Sequence, residues 1–175
     1  VGVDATRFLM LSKSSDQTID FDIEVAKKKD ASNPVYYVQY AHARICSILR
    51  KAAGVTPEQA DLMGMENVAI KAIYGDVDYS LLTDPTELAL SRKLSELQDL
   101  IAGCARDRAP FRITHYVEEL AAAFHSFYAA CQVLPSEGRP VAPELVRARL
   151  AACDAVRSVI ALCLSLIGVS APTQM

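Results

Sequence analysis

No two cysteines in this 175-residue sequence form a Cys-x-x-Cys pair, no apolar run is long enough to span a bilayer, and positive charge is not in excess. Each absence excludes something. The five cysteines, Cys46, Cys104, Cys131, Cys153 and Cys163, are odd in number and widely spaced. That pattern makes no zinc site and argues against a secreted disulfide framework. They are expected to be reduced, buried small hydrophobes in a cytoplasmic protein. The longest apolar run, near Val159 to Val169, falls short of a membrane span, so no membrane partner is expected. Val1 to Leu11 carries Asp4 and Arg7 and no cleavage pattern, so no secretory leader is expected there. A net charge of −3 does not suit a protein that coats nucleic acid at large, and DNA is not an expected partner. A local basic face remains compatible with that charge, and RNA binding, if present, should be confined to one shaped site.

Hydrophobic residues make up 51% and charged residues 22%, which describes a globular chain rather than a disordered tail. Its length suits one well-cored domain with a small appendage. The opening on Val1, in what reads as mid-helix, marks it as an expected fragment of a longer polypeptide. Val1 to Lys13 reads as a helix, Ser14 to Gln17 as a turn and Val25 to Lys29 as a short polar helix. Asn33-Pro34 joins a capping residue to a proline at the first helical position, predicting a helix that stops at Gly54. Val55 to Thr83 reads as irregular, with one short helix after Thr56-Pro57.

Asp84-Pro85-Thr86-Glu87 sets a cap, a proline and an acid three residues after the cap, the start of a helix that fades near Arg106. A further helix is predicted from Phe111 to Leu134, with Ile113, Val117, Leu120, Phe124, Phe127 and Cys131 inward. Pro135 to Pro143 is a loop, and a last helix runs from Pro143 to about Ile167, ended by Gly168. There is no βαβ alternation and no internal repeat. The expected fold is an all-α helical bundle with a short leading segment.

The helix beginning at Pro34 has two faces. Val35, Val38, His42, Ile45 and Leu49 recur at the spacing of a buried stripe. Tyr37, Tyr40, Arg44, Ser47 and Lys51 follow the same spacing two residues on, about 200° round the axis at about 100° per residue. Aromatic planes beside fixed positive charge suit unpaired nucleic-acid bases, which stack on rings while guanidinium groups hold phosphate or base edges. The same face also suits packing on another helix, or a protein partner, because interfaces favour Tyr and Arg as well. A helical interaction or scaffold domain is therefore the alternative. On the helix from Phe111, His125, Tyr128 and Gln132 form a polar-tipped stripe. If the two helices lie side by side, Tyr37, Tyr40, Arg44 and Tyr128 line one groove.

Asn33-Pro-Val-Tyr-Tyr-Val-Gln-Tyr-Ala-His-Ala-Arg44 resembles the opening of the anticodon-binding domain of arginyl-tRNA synthetases. Val1 to Phe8 and Ser15 to Asp22 resemble the end of the catalytic region of those enzymes. Leu120 to Tyr128, Arg149 to Val169, Asp154-Ala-Val-Arg157 within that stretch, and the ending Gly168 to Met175 resemble their later helices and terminus. The resemblance implies that residues 1–32 are the tail of the catalytic or connecting region and residues 33–175 an all-helical anticodon-binding domain. It implies a fragment of an arginine-tRNA ligase, whose complete form uses ATP and magnesium, while this fragment holds no cofactor and no catalytic residue. The implied partners are the anticodon stem-loop of arginine tRNA and the catalytic domain of the same polypeptide. The implied anticodon-binding residues are Tyr37, Tyr40, Arg44, Tyr128 and Met175, the last closing the pocket. Thr173 stands where the family usually has Glu, and Gln132 where some relatives place an aromatic ring.

Other motifs carry less. Met10-Leu11-Ser12-Lys13-Ser14 looks like the Lys-Met-Ser-Lys-Ser loop of class I synthetases but lacks the first lysine and continues a helix. The His-x-Gly-His signature is missing. Asp20, Asp22 and Glu24 read as a solvated turn and helix start. His42 and Cys46 sit one turn apart without a third or fourth ligand, so His42 is expected to be a packed histidine bonding a backbone carbonyl. Lys27-Lys28-Lys29 is a short basic run that fits either a tRNA backbone contact or a solvated face.

Overall fold

A computed structural model describes all 175 residues and contains helices but no strand. In chain order these are α1 (Val3–Leu11), α2 (Ile23–Lys27), α3 (Pro34–Ala53), α4 (Pro57–Met63), α5 (Met65–Ile73), a single 3-10 turn (Tyr79–Leu81), α6 (Pro85–Ser95), α7 (Leu97–Asp107), α8 (Phe111–Ala130) and α9 (Pro143–Leu166). No helix is long and apolar enough to cross a membrane. All five cysteines are free and buried.

Helix α3 is the axis of the bundle. Its expected stripe, Val35, Val38, His42, Ile45 and Leu49, is buried, and α5, α8, α9 and α1 pack around it. Helix α8 supplies Val117, Leu120, Phe124 and Phe127, each fully buried, and removing such side chains from water stabilises the fold by about 1.5–3 kcal/mol apiece. Ala5 and Phe8 of α1 belong to the same core, so the leading segment packs onto the bundle. The terminators act as expected: Gly54 closes α3 at φ 64°, and Asp84 with Glu87 forms a reciprocal capping box at the start of α6.

Several local expectations differ from the structure, and some of them give way to tertiary contacts. Asn33 does not cap α3. Its amide instead donates to the carbonyls of Ala26 (3.2 Å) and Lys28 (2.9 Å), tying the chain after α2 to the start of α3. Helix α2 begins two residues earlier than predicted, because Asp22 accepts from the amides of Glu24 and Val25 and sets the start at Ile23. Residues 55–83 contain a second helix, α5; buried Val68 and Ala69 with half-buried Met65, Ala72 and Ile73 form its inward stripe at helical spacing. The helix expected to run from Pro85 to Arg106 is broken at Glu96. There the Tyr116 hydroxyl donates to the Lys93 carbonyl (2.9 Å), an acceptor that an unbroken helix would give to Leu97. Helix α8 ends at Ala130 rather than Leu134. Arg149 on α9 takes the Gln132 carbonyl (2.8 Å), and the Gln132 amide donates to Leu134 (2.9 Å) and Ser136 (2.8 Å), turning the chain into the loop.

Candidate functional site

Side by side, α3 and the end of α8 leave a groove of about 1010 Å³ that continues along residues 131–139. From α3 it is lined by Tyr40, Arg44, Ser47 and Lys51, the face opposite the buried stripe. From the other side come Tyr128, Gln132, Ser136 and Arg139, and Gln174 with Met175 forms one end. No aspartate or glutamate side chain lines it. Arg44, Arg50, Lys51 and Arg139 all do, and none of the four forms an ion pair. A chain of net charge −3 therefore concentrates uncompensated positive charge in one groove. Such a groove attracts an anionic ligand and holds it more weakly as salt rises.

Arg44 is fixed within this groove. Its guanidinium carbon lies 4.7 Å from the centre of the Tyr128 ring and 5.8 Å from that of Tyr40, and its Nη1 donates to the Tyr40 hydroxyl at 2.7 Å. Tyr128 in turn rests on Phe124, a fully buried ring 5.9 Å away. Core packing thus supports Tyr128, Tyr128 supports the guanidinium, and Tyr40 holds it from its own helix. A fork that is already oriented loses less rotamer entropy when a ligand takes its remaining donors.

Among the expected residues, Tyr40, Arg44, Tyr128 and Met175 come together, but Tyr37 does not join them. It lies in an adjoining apolar hollow of about 390 Å³ lined by Ala31, Tyr36, Tyr37, Tyr40 and His125. There Tyr37 packs 4.8 Å from the His125 ring, and burial raises its phenol pKa above the ordinary range. Tyr40 is shared by both spaces. It stacks 6.2 Å from Tyr36 and 6.0 Å from His125, so sequence reasoning missed Tyr36 as part of this aromatic set. The spacing of Tyr36 and Tyr40 by one helical turn was the signal that pointed to it.

The remaining motifs are placed plainly. His42 Nδ1 donates to the Pro172 carbonyl at 2.9 Å, the packed histidine expected; burial, with Arg157 nearby, lowers its pKa against that hydrogen bond. Asp154 and Arg157 pair at 2.7 Å on α9 outside the groove. Lys27, Lys28 and Lys29 are exposed and do not line the groove. No group of three or more His, Cys, Asp or Glu side chains is arranged to hold a metal ion. Gln39, Arg50 and Asp4, which hold the final residues in place, were also missed. Their partners lie more than a hundred residues away, and nothing local announces them.

Residues 38–175 match the family described as the DALR anticodon binding domain. Over all 175 residues the chain is 44% identical to the arginine–tRNA ligase of Dehalococcoides mccartyi and 46% identical to that of Symbiobacterium thermophilum, covering 28% of each. The solved structure of the Thermus thermophilus arginyl-tRNA synthetase superposes with a TM-score of 0.74 at 28% identity, over 98% of this chain and 26% of that one. The chain therefore spans little more than a quarter of the length of the relatives it matches. An all-helical bundle matched by the family model from Val38 to Met175 leaves one assignment: this chain belongs to the DALR anticodon-binding domain family.

Proposed function

We propose that this chain is the anticodon-gripping part of an arginine–tRNA ligase, with residues 1–32 the end of the catalytic or connecting region and residues 33–175 the binding domain. The observation that carries the reading is the groove, lined by no Asp or Glu side chain, in which Arg44 is held between Tyr40 and Tyr128. Unpaired bases of an anticodon loop stack on exposed aromatic and guanidinium planes, each worth about 1–3 kcal/mol. Tyr40 and the plane of Arg44 over Tyr128 offer such surfaces, and Tyr37 offers another in the adjoining hollow. The donors that Arg44 keeps free take a base edge or a phosphate. Lys51 and Arg139 hold the backbone, and Met175 closes the end.

The ligand is the anticodon stem-loop of arginine tRNA, and the other partner is the catalytic domain of the same cytoplasmic polypeptide. There arginine is activated with ATP and magnesium and passed to the terminal adenosine of the tRNA. None of that chemistry is assigned to a residue of this chain. Its contribution is binding energy that brings the acceptor end to the distant active site.

The test is made in the full-length polypeptide with Tyr40→Ala and Arg44→Ala. Charging of arginine tRNA falls, while binding of arginine and ATP measured without tRNA stays close to that of the parent. Equal losses in both assays would overturn the assignment. A protein-binding face is distinguished by salt: RNA affinity falls steeply as salt rises, through phosphate contacts and counterion release.

A further inference from the structure

The segment from Gly168 to Met175 forms no helix or strand, yet side chains hold the backbone of four of its eight residues, Gly168, Ser170, Pro172 and Thr173. Arg7 Nη1 donates to the Gly168 carbonyl (2.6 Å). The Asp4 carboxylate accepts from the Ser170 amide (3.2 Å) and from the Ser170 hydroxyl. Gln39 Nε2 donates to the Ser170 carbonyl (2.9 Å) and to Asp4 (2.8 Å), and Arg50 Nη1 donates to the Thr173 carbonyl (3.0 Å). With His42 on Pro172, the tail runs along α3 in the same direction as the helix. Val169 is buried and anchors its start.

Ordering an irregular segment costs backbone entropy at every residue. Arg50 and His42 are themselves buried, and such groups are tolerated only with partners. What these bonds determine together is where Gln174 and Met175 lie: at the end of the groove, beside Arg44 and Lys51.

We infer that Asp4, Gln39 and Arg50 are positioning residues for the groove, holding Gln174 and Met175 as its end wall and acting on a bound RNA through the tail. The inference rests on the reading of the groove as an RNA site. Asp4 makes it testable by sign. It does not line the groove, and it is negative. Removing a carboxylate by charge alone leaves RNA affinity unchanged or raises it. Loss of the tail's anchor lowers it.

The experiment titrates fluorescently labelled arginine tRNA with the full-length polypeptide carrying Asp4→Ala, Gln39→Ala or the milder Ser170→Ala. Each is made in the parent and in a form lacking Gln174 and Met175. Asp4→Ala and Gln39→Ala weaken binding by about threefold to tenfold, Ser170→Ala by less, and none has a further effect once the two wall residues are gone. Unchanged or tighter binding by Asp4→Ala overturns the inference. So does a loss of equal size in the shortened form, which marks general damage to the fold. Arg44→Ala, measured alongside, separates the two readings. If it also leaves affinity unchanged, the RNA site itself is refuted; if it weakens binding while the tail variants do not, only the positioning role falls.

Discussion

Replacing Arg44 with lysine keeps the charge of the groove and removes its plane. In the structure the guanidinium lies 4.7 Å from the Tyr128 ring centre and donates to the Tyr40 hydroxyl at 2.7 Å. An ammonium group can sit near both rings but cannot present a flat face or a fork of parallel donors. The lost stacking or bidentate contact is worth about 1–3 kcal/mol, which is roughly a 5- to 150-fold rise in Kd for arginine tRNA. Stability changes less. Lysine recovers part of the cation–π attraction, and loss of the exposed charge-assisted hydrogen bond costs about 1.5 kcal/mol, lowering Tm by roughly 3–6 °C.

The assay is a titration of labelled tRNA at several salt concentrations. Arg44→Lys lowers affinity at every salt while the slope against log salt stays that of the parent, since the charge is retained. Arg44→Ala lowers affinity further, and reduces the slope by about 0.7 if the guanidinium meets a phosphate of an unpaired strand. A lysine variant that binds within about twofold of the parent refutes the planar-fork reasoning and leaves only charge.

Three further outcomes follow from the packing. Burial lowers the pKa of both His42 and His125 below 6.5, with nearby Arg157 and Arg44 respectively acting in the same direction. Protonation therefore favours the unfolded chain: the stabilisation is present above pH 6.5 and is lost as pH falls through the depressed values, seen as a falling midpoint in urea unfolding between about pH 7.5 and 5.5. His42→Asn, which does not titrate, flattens part of that slope. Glu87, buried at 2% exposure, accepts from Arg149 at 2.7 Å and from the Asp84 amide at 2.9 Å. Glu87→Gln removes that guanidinium's ion-pair partner and costs about 3 kcal/mol, checked by thermal unfolding as a Tm drop of roughly 6–12 °C. Gly54→Ala meets open space but forces a side chain into φ 64°, so equilibrium unfolding reports a loss of about 1 kcal/mol from backbone strain alone.

Much of this molecule was legible because local signals and global packing agree. The proline starts at Pro34, Pro85 and Pro143 and the stops at Gly54 and Gly168 act within one turn of chain, where capping chemistry is decided. The stripe from Val35 to Leu49 and the opposite face from Tyr40 to Lys51 follow from helical geometry, whatever surrounds the helix. Two of the errors lie where a donor from another helix intervenes. Tyr116 takes the Lys93 carbonyl and breaks one predicted helix in two; Arg149 takes the Gln132 carbonyl and shortens another. Asn33, a cap by pattern, turns its amide back to the end of α2.

The primary sequence by itself determined an all-helical chain whose central helix presents rings and a guanidinium opposite its buried stripe, because periodicity and capping are properties of neighbouring residues. Only the tertiary structure decided that Tyr128 props Arg44, that Tyr37 belongs to a separate hollow, and that the last residues are led along α3 to the groove. Those outcomes depend on side chains meeting from distant parts of the chain, as Arg50 meets Thr173 across 123 residues, and which donor reaches which carbonyl is settled when the helices pack.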